Sequence, residues 1–354
     1  MKKQILIIIL LLLVIIGFWF LGKQEDSKQN DLPKELEITK NIIKEENEEK
    51  IIFVSYPSLG IEEIDKEIKE YVDSEIESFK DLEYFSFNGA KYFLNIDYFS
   101  VMLNKNIISF KFDKSDYTGG AHGNHYVDCF TYNIIEKNKL TLDDFFNNNY
   151  YLERISSYAI EDLLGYEYAD EAWIKDGAGE KQENYEKFIV SENAFIFYFP
   201  PYQVAPYAAG EKQVILPFSE IKDYLSEDIF ENHDFTLNKG IYVLSPKQGE
   251  KIEQSGIIEG DLKYFLEVEG YLNGNGWAPF EAIGGRIQLL DENNNVLAVS
   301  NIEIIDNWMK IPVYFKVYLF FDPKESKKGT LFFKNDNASG LEENERTFSL
   351  DINF

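Results

Sequence analysis

The chain has 354 residues, of which 45% are hydrophobic and 16% aromatic, a composition that excludes an intrinsically disordered protein and predicts about two domains. Acidic residues number 62 against 35 basic ones, and the net charge of -27 excludes nucleic acid as a partner, because phosphates require a basic face. The single cysteine, Cys129, excludes an intrachain disulfide, so the fold must depend on its cores.

The first 22 residues predict a transmembrane signal-anchor. Lys2 and Lys3 precede an apolar run, residues 5–21, that spans about 26 Å as a helix, close to the thickness of a bilayer core. The two lysines predict a cytoplasmic N-terminus and export of everything that follows. The run ends in bulky residues, 18–22, which favours an uncleaved anchor over a cleaved signal peptide. On this interpretation the cytoplasm contains too few residues for a signalling domain.

Residues 23–50 are rich in Glu and Lys and predict a charged stalk that spaces the folded part from the membrane. Residues 51–226 then mix helices and strands without regular alternation, which predicts an α+β domain. An amphipathic helix is predicted from apolar residues at spacings of three and four, and a hairpin from the runs 92–103 and 107–112. The apolar face of that helix comprises Ile61, Ile64, Ile68, Val72, Ile76 and Phe79.

Two motifs in this region carry a resemblance to a known family. Residues 118–123 read TGGAHG, and residues 195–210 read FIFYFPPYQVAPYAAG. Together they resemble the extracytoplasmic domain shared by lysozyme-sensing anti-sigma factors of the RsiV type and peptidoglycan deacetylases of the PdaC type. The resemblance implies a domain that binds lysozyme-like cationic proteins or peptidoglycan. The sigma-binding segment and the deacetylase catalytic domain are both missing from the sequence, so neither of those activities is implied.

Four residues in or just after these motifs are candidate ligand-binding residues, and each has a second interpretation. His122 and His125 lie in a glycine-rich turn near Asp116 and Asp128, but two histidines provide too few ligands for a metal site, so we predict no metal and no cofactor. In the second interpretation, the two histidines do not bind a ligand and instead form hydrogen bonds with neighbouring loops. Tyr202 and Tyr207 form an aromatic ledge for a glycan or protein, or they cover the core beside the strand at 195–199.

Residues 227–239 predict a linker, in which His233 is expected to be exposed. Residues 240–354 contain seven short strand-like runs separated by turn residues, which predict an all-β antiparallel sandwich. Segments such as 277–282, WAPFEA, and 336–341, DNASGL, resemble the immunoglobulin-like domain of bacterial spore-germination GerMN-associated proteins. Trp277 and Glu281 either line a ligand-binding edge, or Trp277 packs in the core while Glu281 pairs with a base such as Arg286.

The sequence contains no nucleophile elbow, P-loop, HExxH or CxxC motif, so we predict no catalytic residues and no enzyme. The first hypothesis is a membrane-anchored binding protein of the bacterial cell envelope, for a lysozyme-like hydrolase or peptidoglycan. The alternative is a non-catalytic scaffold of an envelope complex, with the sandwich as the contact to a protein partner. A third hypothesis, a glycan hydrolase that uses paired carboxylates, has no carboxylate pair singled out by the sequence.

Overall fold

The computed structural model describes residues 36–85, 89–148, 150–166, 169–252, 255–258, 261–304 and 307–354. Thr39–Phe354 form one compact unit. The predicted anchor, residues 1–22, lies outside the described residues. Within the described ranges, no helix combines the length and the apolar character needed to cross a membrane.

A six-stranded sheet with one long helix begins the fold. Its order is β1-β2-β3-β4-β5-β6, with β2 and β3 parallel and all other neighbours antiparallel. The predicted helix and hairpin are present, and the helix buries its apolar face. The elements of this sheet and its helix are β1 (Thr39–Glu46), β2 (Lys50–Ser58), α1 (Glu62–Lys80), β3 (Tyr92–Asn104), β4 (Ile107–Tyr117), β5 (Asn124–Asn133) and β6 (Asn138–Leu140).

The fold starts earlier than the sequence predicts. Thr39–Glu46, assigned above to a charged stalk, is a strand that pairs antiparallel with β2 over its whole length. Its outer position explains the misassignment, because edge strands commonly carry charged residues that prevent pairing with other chains. The stalk prediction was therefore wrong for this segment, and the sheet extends to residue 39.

A second layer of helices and strands follows in the chain. A three-stranded antiparallel sheet of order β7-β8-β9 buries all residues of β7 and β8. Helices and short 3-10 turns surround it and share a core rich in phenylalanine with it. The elements are α2 (Tyr151–Leu163), α3 (Glu171–Gly177), β7 (Phe188–Val190), β8 (Ala194–Phe199), β9 (Lys212–Pro217) and α4 (Glu227–Phe230).

The C-terminal part contains two four-stranded antiparallel sheets that bury their apolar faces in one cluster. In the first sheet β12 pairs with β10, β11 and β15, and the second has the order β14-β13-β16-β17. The sequence predicts all of these strands except β11. The strands are β10 (Ile241–Ser245), β11 (Ser255–Ile258), β12 (Asp261–Leu272), β13 (Ile283–Asp291), β14 (Val296–Glu303), β15 (Val313–Phe321), β16 (Lys328–Asn335) and β17 (Thr347–Asn353).

The α+β part and the C-terminal sheets share a core. Phe99 and Val127 of the six-stranded sheet, Ile196 of β8, and Tyr242 and Tyr271 of the C-terminal part belong to one buried cluster. The Tyr242 and Tyr271 rings stack with centroids 4.8 Å apart. Burial of this kind provides a continuous hydrophobic contact between the two parts.

The connecting residues 227–239 also differ from the predicted exposed linker. They include α4, and His233 packs edge-on against Phe218, Phe230 and Phe235 with centroid distances of 5.2, 5.6 and 4.8 Å. The expectation of an exposed His233 was therefore wrong. Contact with three phenylalanine rings removes part of the His233 ring from water, which the polar local sequence does not indicate.

Candidate functional site

Three aromatic side chains from two separate loops meet at the surface. We call His122, Tyr202 and Tyr207 the aromatic row. The His122 and Tyr207 rings stack at 4.6 Å between centroids, and Tyr202 lies 5.7 Å from Tyr207. Tyr202 is 63% exposed. The two stacked members bind the same backbone atom: His122 Nδ1 and the Tyr207 hydroxyl donate to the Gly123 carbonyl oxygen at 2.8 and 2.6 Å.

The backbone of both loops is fixed in the conformation that forms the row. A Cβ atom at Gly123 would lie 2.8 Å from the Asp116 carbonyl oxygen, so the close approach at this turn requires glycine. Tyr202 has φ +74°, a left-handed conformation that is costly for a side chain of its size. The Trp173 indole N–H donates to the Tyr202 carbonyl oxygen at 2.9 Å and so supports this conformation.

A second constellation, the charge cluster, lies between the six-stranded sheet and the C-terminal part. It consists of Lys111, Asp113, His125, Glu211, Glu267, Glu269 and Lys316. The Lys111 ammonium group, fully buried in β4, donates to both Asp113 oxygens at 2.8 and 3.0 Å. Its nitrogen also lies 3.8 Å from a Glu211 oxygen. Burial opposes the charge of Lys111, but these carboxylates outweigh burial and raise its pKa well above the ordinary value.

Two glutamates on one face of β12 complete the cluster from the C-terminal side. Lys316 Nζ lies 2.8 Å from Glu267 Oε1 and 2.5 Å from Glu269 Oε1, and the Tyr314 hydroxyl donates to Glu269. Burial opposes ionisation of Glu269, but Lys111 and Lys316 together hold its pKa below the usual range. Burial and the neighbouring Glu269 raise the pKa of Glu267 to about 7.

Three donors within the charge cluster converge in a way suited to a cation. Asp113, His125 and Glu211 each offer one ligand atom, and these atoms all lie within 4.8 Å of one another. His125 Nε2 is 3.6 Å from Asp113 Oδ1 and 3.9 Å from Glu211 Oε2. One nitrogen and two carboxylate oxygens are donors that divalent transition metals accept.

A cleft of about 540 Å³ gives solvent access to part of this cluster. Asp113, His125, Glu267 and Lys316 line it together with residues of β2, β3 and β10. Its walls thus come from both the α+β part and the C-terminal part, and these four members of the charge cluster line a groove between them.

Of the four site residues predicted in the α+β domain, the structure brings three together and separates the fourth. His122, Tyr202 and Tyr207 form the aromatic row, whereas His125 belongs to the charge cluster. The two aspartates considered beside the histidines have other partners: Asp116 accepts from Asn124, and Asp128 accepts from Tyr71 and Lys187. The acidic neighbours of His125 instead come from a preceding strand and from a distant loop.

Trp277 and Glu281 do not belong to either constellation. Trp277 is only 2% exposed and packs in the core of the C-terminal sheets, which agrees with the core interpretation and makes its assignment as a ligand-binding residue wrong. Glu281 is exposed in a left-handed turn with φ +47°. Both Glu281 and Arg286 are described, and no ion pair joins them.

Neither of the two buried charges at the centre of the cluster was predicted from the sequence. Lys111 lies within the apolar run IISFKF, and Glu269 lies within FLEVEGY. A charged residue at an inward-facing position of an apolar strand is almost never buried without a partner. That local anomaly was a usable signal for a site, although it does not identify the partner.

Comparisons with known proteins match the first half of the folded chain. Residues 33–125 match the family model described as Deacetylase PdaC, and residues 143–219 match a protein family of unknown function, DUF3298. The peptidoglycan-N-acetylmuramic acid deacetylase PdaC of Bacillus subtilis is 34% identical over 137 residues, which are 38% of this chain and 29% of that enzyme. The chain thus spans less than a third of this curated relative.

Two crystal structures of DUF3298 family proteins are also similar. One is from Bacteroides fragilis, with 19% identity and a TM-score of 0.39, and the other is from Pseudomonas aeruginosa, with 10% identity and a TM-score of 0.40. Each alignment covers 55% of this chain and 96% of the other.

Each of the two matched ranges contains one loop of the aromatic row. His122 lies in the PdaC match, and Tyr202 and Tyr207 lie in the DUF3298 match. Neither family match extends beyond residue 219, so the immunoglobulin-like resemblance of the C-terminal part stays a prediction. Over residues 33–219 the chain therefore carries a region similar to PdaC followed by one similar to DUF3298, which confirms the resemblance inferred from its two motifs.

Proposed function

We propose that the protein is a membrane-anchored binding protein of the bacterial cell envelope, and that its aromatic row contacts a cationic, lysozyme-like hydrolase outside the membrane. The observation that carries this proposal is the row itself. Two loops from different parts of the sequence bring three aromatic rings together, and two of them, His122 and Tyr207, stack and donate to one shared carbonyl oxygen. Rigid, exposed aromatic residues are the side chains that most often dominate protein–protein binding energy.

Charge selects between the two candidate ligands. A chain with a net charge of -27 attracts a basic protein at long range and speeds its association. Peptidoglycan carries carboxylates of its own, which this surface repels. The deacetylase relative acts on peptidoglycan according to its name, but the match covers only 29% of that enzyme. We therefore propose binding to the hydrolase, and not catalysis on the wall.

Retention of lysozyme by the immobilised full-length protein in detergent tests this proposal. We expect binding at about 0.05 M salt that weakens at about 0.3 M, because screening reduces charge attraction. Tyr202→Ala should weaken binding at least about tenfold, as expected for a central aromatic contact. Tyr150→Ala is the matched control, since Tyr150 is 75% exposed and lies outside the row.

Two results would contradict the proposal. One is the absence of lysozyme retention at both salt concentrations. The other is equal retention by the Tyr202 and Tyr150 variants, which would place the contact elsewhere. Cosedimentation with insoluble peptidoglycan, in the absence of lysozyme binding, would favour the glycan alternative.

A further inference from the structure

A buried carboxylate oxygen without a hydrogen bond lies within the charge cluster. The Glu211 side chain is 8% exposed. Gln213 Nε2 donates to its Oε1 at 2.8 Å, but its Oε2 is buried and accepts no hydrogen bond from any residue in the described ranges. Leaving a buried charged oxygen without a partner is costly, so this atom points to a group that is bound from outside the chain.

The unpartnered Glu211 oxygen faces the other two donors of the group. His125 Nε2 lies 3.9 Å from it and 3.6 Å from Asp113 Oδ1. Two ligands of a tetrahedral zinc ion lie about 3.4 Å apart, given bond lengths of about 2.0–2.2 Å. The two separations from His125 Nε2 exceed this by a few tenths of an ångström, and the third pair of donors lies within 4.8 Å, so side-chain adjustment brings the three atoms to coordination distance.

The formal charges of the cluster also leave room for a divalent cation. Four carboxylates, Asp113, Glu211, Glu267 and Glu269, face only the two ammonium groups of Lys111 and Lys316. One negative charge remains uncompensated when Glu267 is protonated, and two remain when it is ionised, so the cluster attracts a cation in either state. Lys111 contacts both Asp113 oxygens, so it can keep its 3.0 Å bond to Oδ2 while Oδ1 binds the ion.

We propose that Asp113, His125 and Glu211 bind a divalent transition-metal ion of the zinc class. The imidazole ligand favours such an ion over Mg²⁺ or Ca²⁺, which prefer six or more oxygen ligands. Asp113 and His125 line the cleft, so the ion is reached from solvent and retains water at its fourth position. This site differs from the absence of metal predicted from the sequence, because Glu211 comes from a loop far along the chain.

The metal site adjoins the two loops of the aromatic row. His125 lies three residues after His122, and Glu211 lies four residues after Tyr207. An ion held by both would join these loops independently of the Gly123 hydrogen bonds. The site itself does not depend on the identity of the ligand that the row binds.

Calorimetric titration of the untagged, chelator-treated full-length protein with Zn²⁺ tests the proposal. We expect one ion per chain in the wild type, and at least a tenfold loss of affinity in His125→Ala and in Glu211→Gln. The second variant preserves the shape of the side chain, and circular dichroism without metal checks that both variants are folded. His122→Ala is the matched control, because this histidine lies on the same turn but outside the donor group, and it should bind Zn²⁺ like the wild type.

The proposal is overturned if the wild type binds no Zn²⁺ at millimolar concentration. It is also overturned if both donor variants retain wild-type affinity, or if His122→Ala loses as much affinity as His125→Ala, which would indicate nonspecific surface binding. Parallel titrations with Mg²⁺ and Ca²⁺ should give weaker binding, and tighter binding of either ion would contradict the zinc class. None of these readouts requires lysozyme, so failure here is distinct from failure of the proposed function.

Discussion

The Lys111 ammonium nitrogen lies 3.6 Å from Glu269 Oε1, and neither side chain is exposed to solvent. Lys111 belongs to the six-stranded sheet and Glu269 to the C-terminal part, so this ion pair crosses the boundary between them. Its environment is partly aromatic, since the same nitrogen lies 4.9 Å from the centroid of the Tyr198 ring. A buried pair of this kind specifies how the two parts meet as much as it stabilises them.

Replacement of Lys111 by methionine should destabilise the protein by about 3 kcal/mol, because it removes one of the two ammonium groups that compensate the carboxylates of the charge cluster. Urea unfolding at neutral pH measures the change. Lys66→Met is the control: the Lys66 side chain is 72% exposed, and its removal should change the free energy of unfolding by less than about 0.5 kcal/mol. An equal decrease in the free energy of unfolding in the two variants would show that the buried ion pairs of Lys111 stabilise the protein no more than an exposed pair does.

A buried hydrogen-bond group provides a second connection across the same boundary. The Tyr271 hydroxyl lies 2.8 Å from Ser191 Oγ and donates to Asn193 Oδ1, so one phenol of β12 contacts the turn between β7 and β8. Tyr271→Phe should cost about 1–3 kcal/mol of unfolding free energy, because it leaves buried polar groups unpaired.

The same urea experiment measures this loss, and Tyr150→Phe is the exposed counterpart that should leave the unfolding midpoint unchanged. A Tyr271→Phe midpoint equal to that of the wild type would mean that water or rearrangement satisfies Ser191 and Asn193. The hydroxyl would then make no net contribution to the contact between the two parts.

The predictions from sequence succeeded where the signal is local. The face of α1 follows from apolar residues at helical spacing, and the β3–β4 hairpin follows from two strand-like runs around a short polar turn. The turn is stabilised locally, since Asn104 Oδ1 accepts from the backbone N–H groups of Asn106 and Ile107. The prediction for Thr39–Glu46 was wrong because a charged edge strand and a charged stalk have the same local composition.

The candidate sites were predicted only in part, because their residues are brought together by tertiary structure and not by local sequence. Each loop of the aromatic row carries its own motif, but the stacking of His122 on Tyr207 arises from tertiary structure. Lys111 and Glu269 are 158 positions apart in the printed sequence, and nothing in either strand identifies the other as its partner. For Trp277 the local sequence left two interpretations open, because a tryptophan in a turn-rich segment is compatible with a surface or a core position until the packing is known.

His233 should make stability depend on pH in the mildly acidic range. Burial among phenylalanines lowers its pKa below the ordinary value, and this effect outweighs the opposing charges of Asp234 and Glu192. Its Nε2 is buried without a hydrogen-bond partner among the described residues. The folded state therefore disfavours the charged ring, whereas the unfolded chain accepts a proton near pH 6.5.

Below about pH 6.5 the unfolded state binds more protons at this site, so its contribution to stability is complete above that pH and declines as the pH falls towards the lowered pKa. His233→Phe keeps an aromatic ring among Phe218, Phe230 and Phe235 but removes the titration. Between about pH 7.5 and about pH 5.5, the urea midpoint should fall further in the wild type than in this variant. The carboxylates and the other histidines contribute equally to the two proteins, so the difference reports on His233. Identical declines would show that the ring accepts its proton in the folded state as readily as in the unfolded chain.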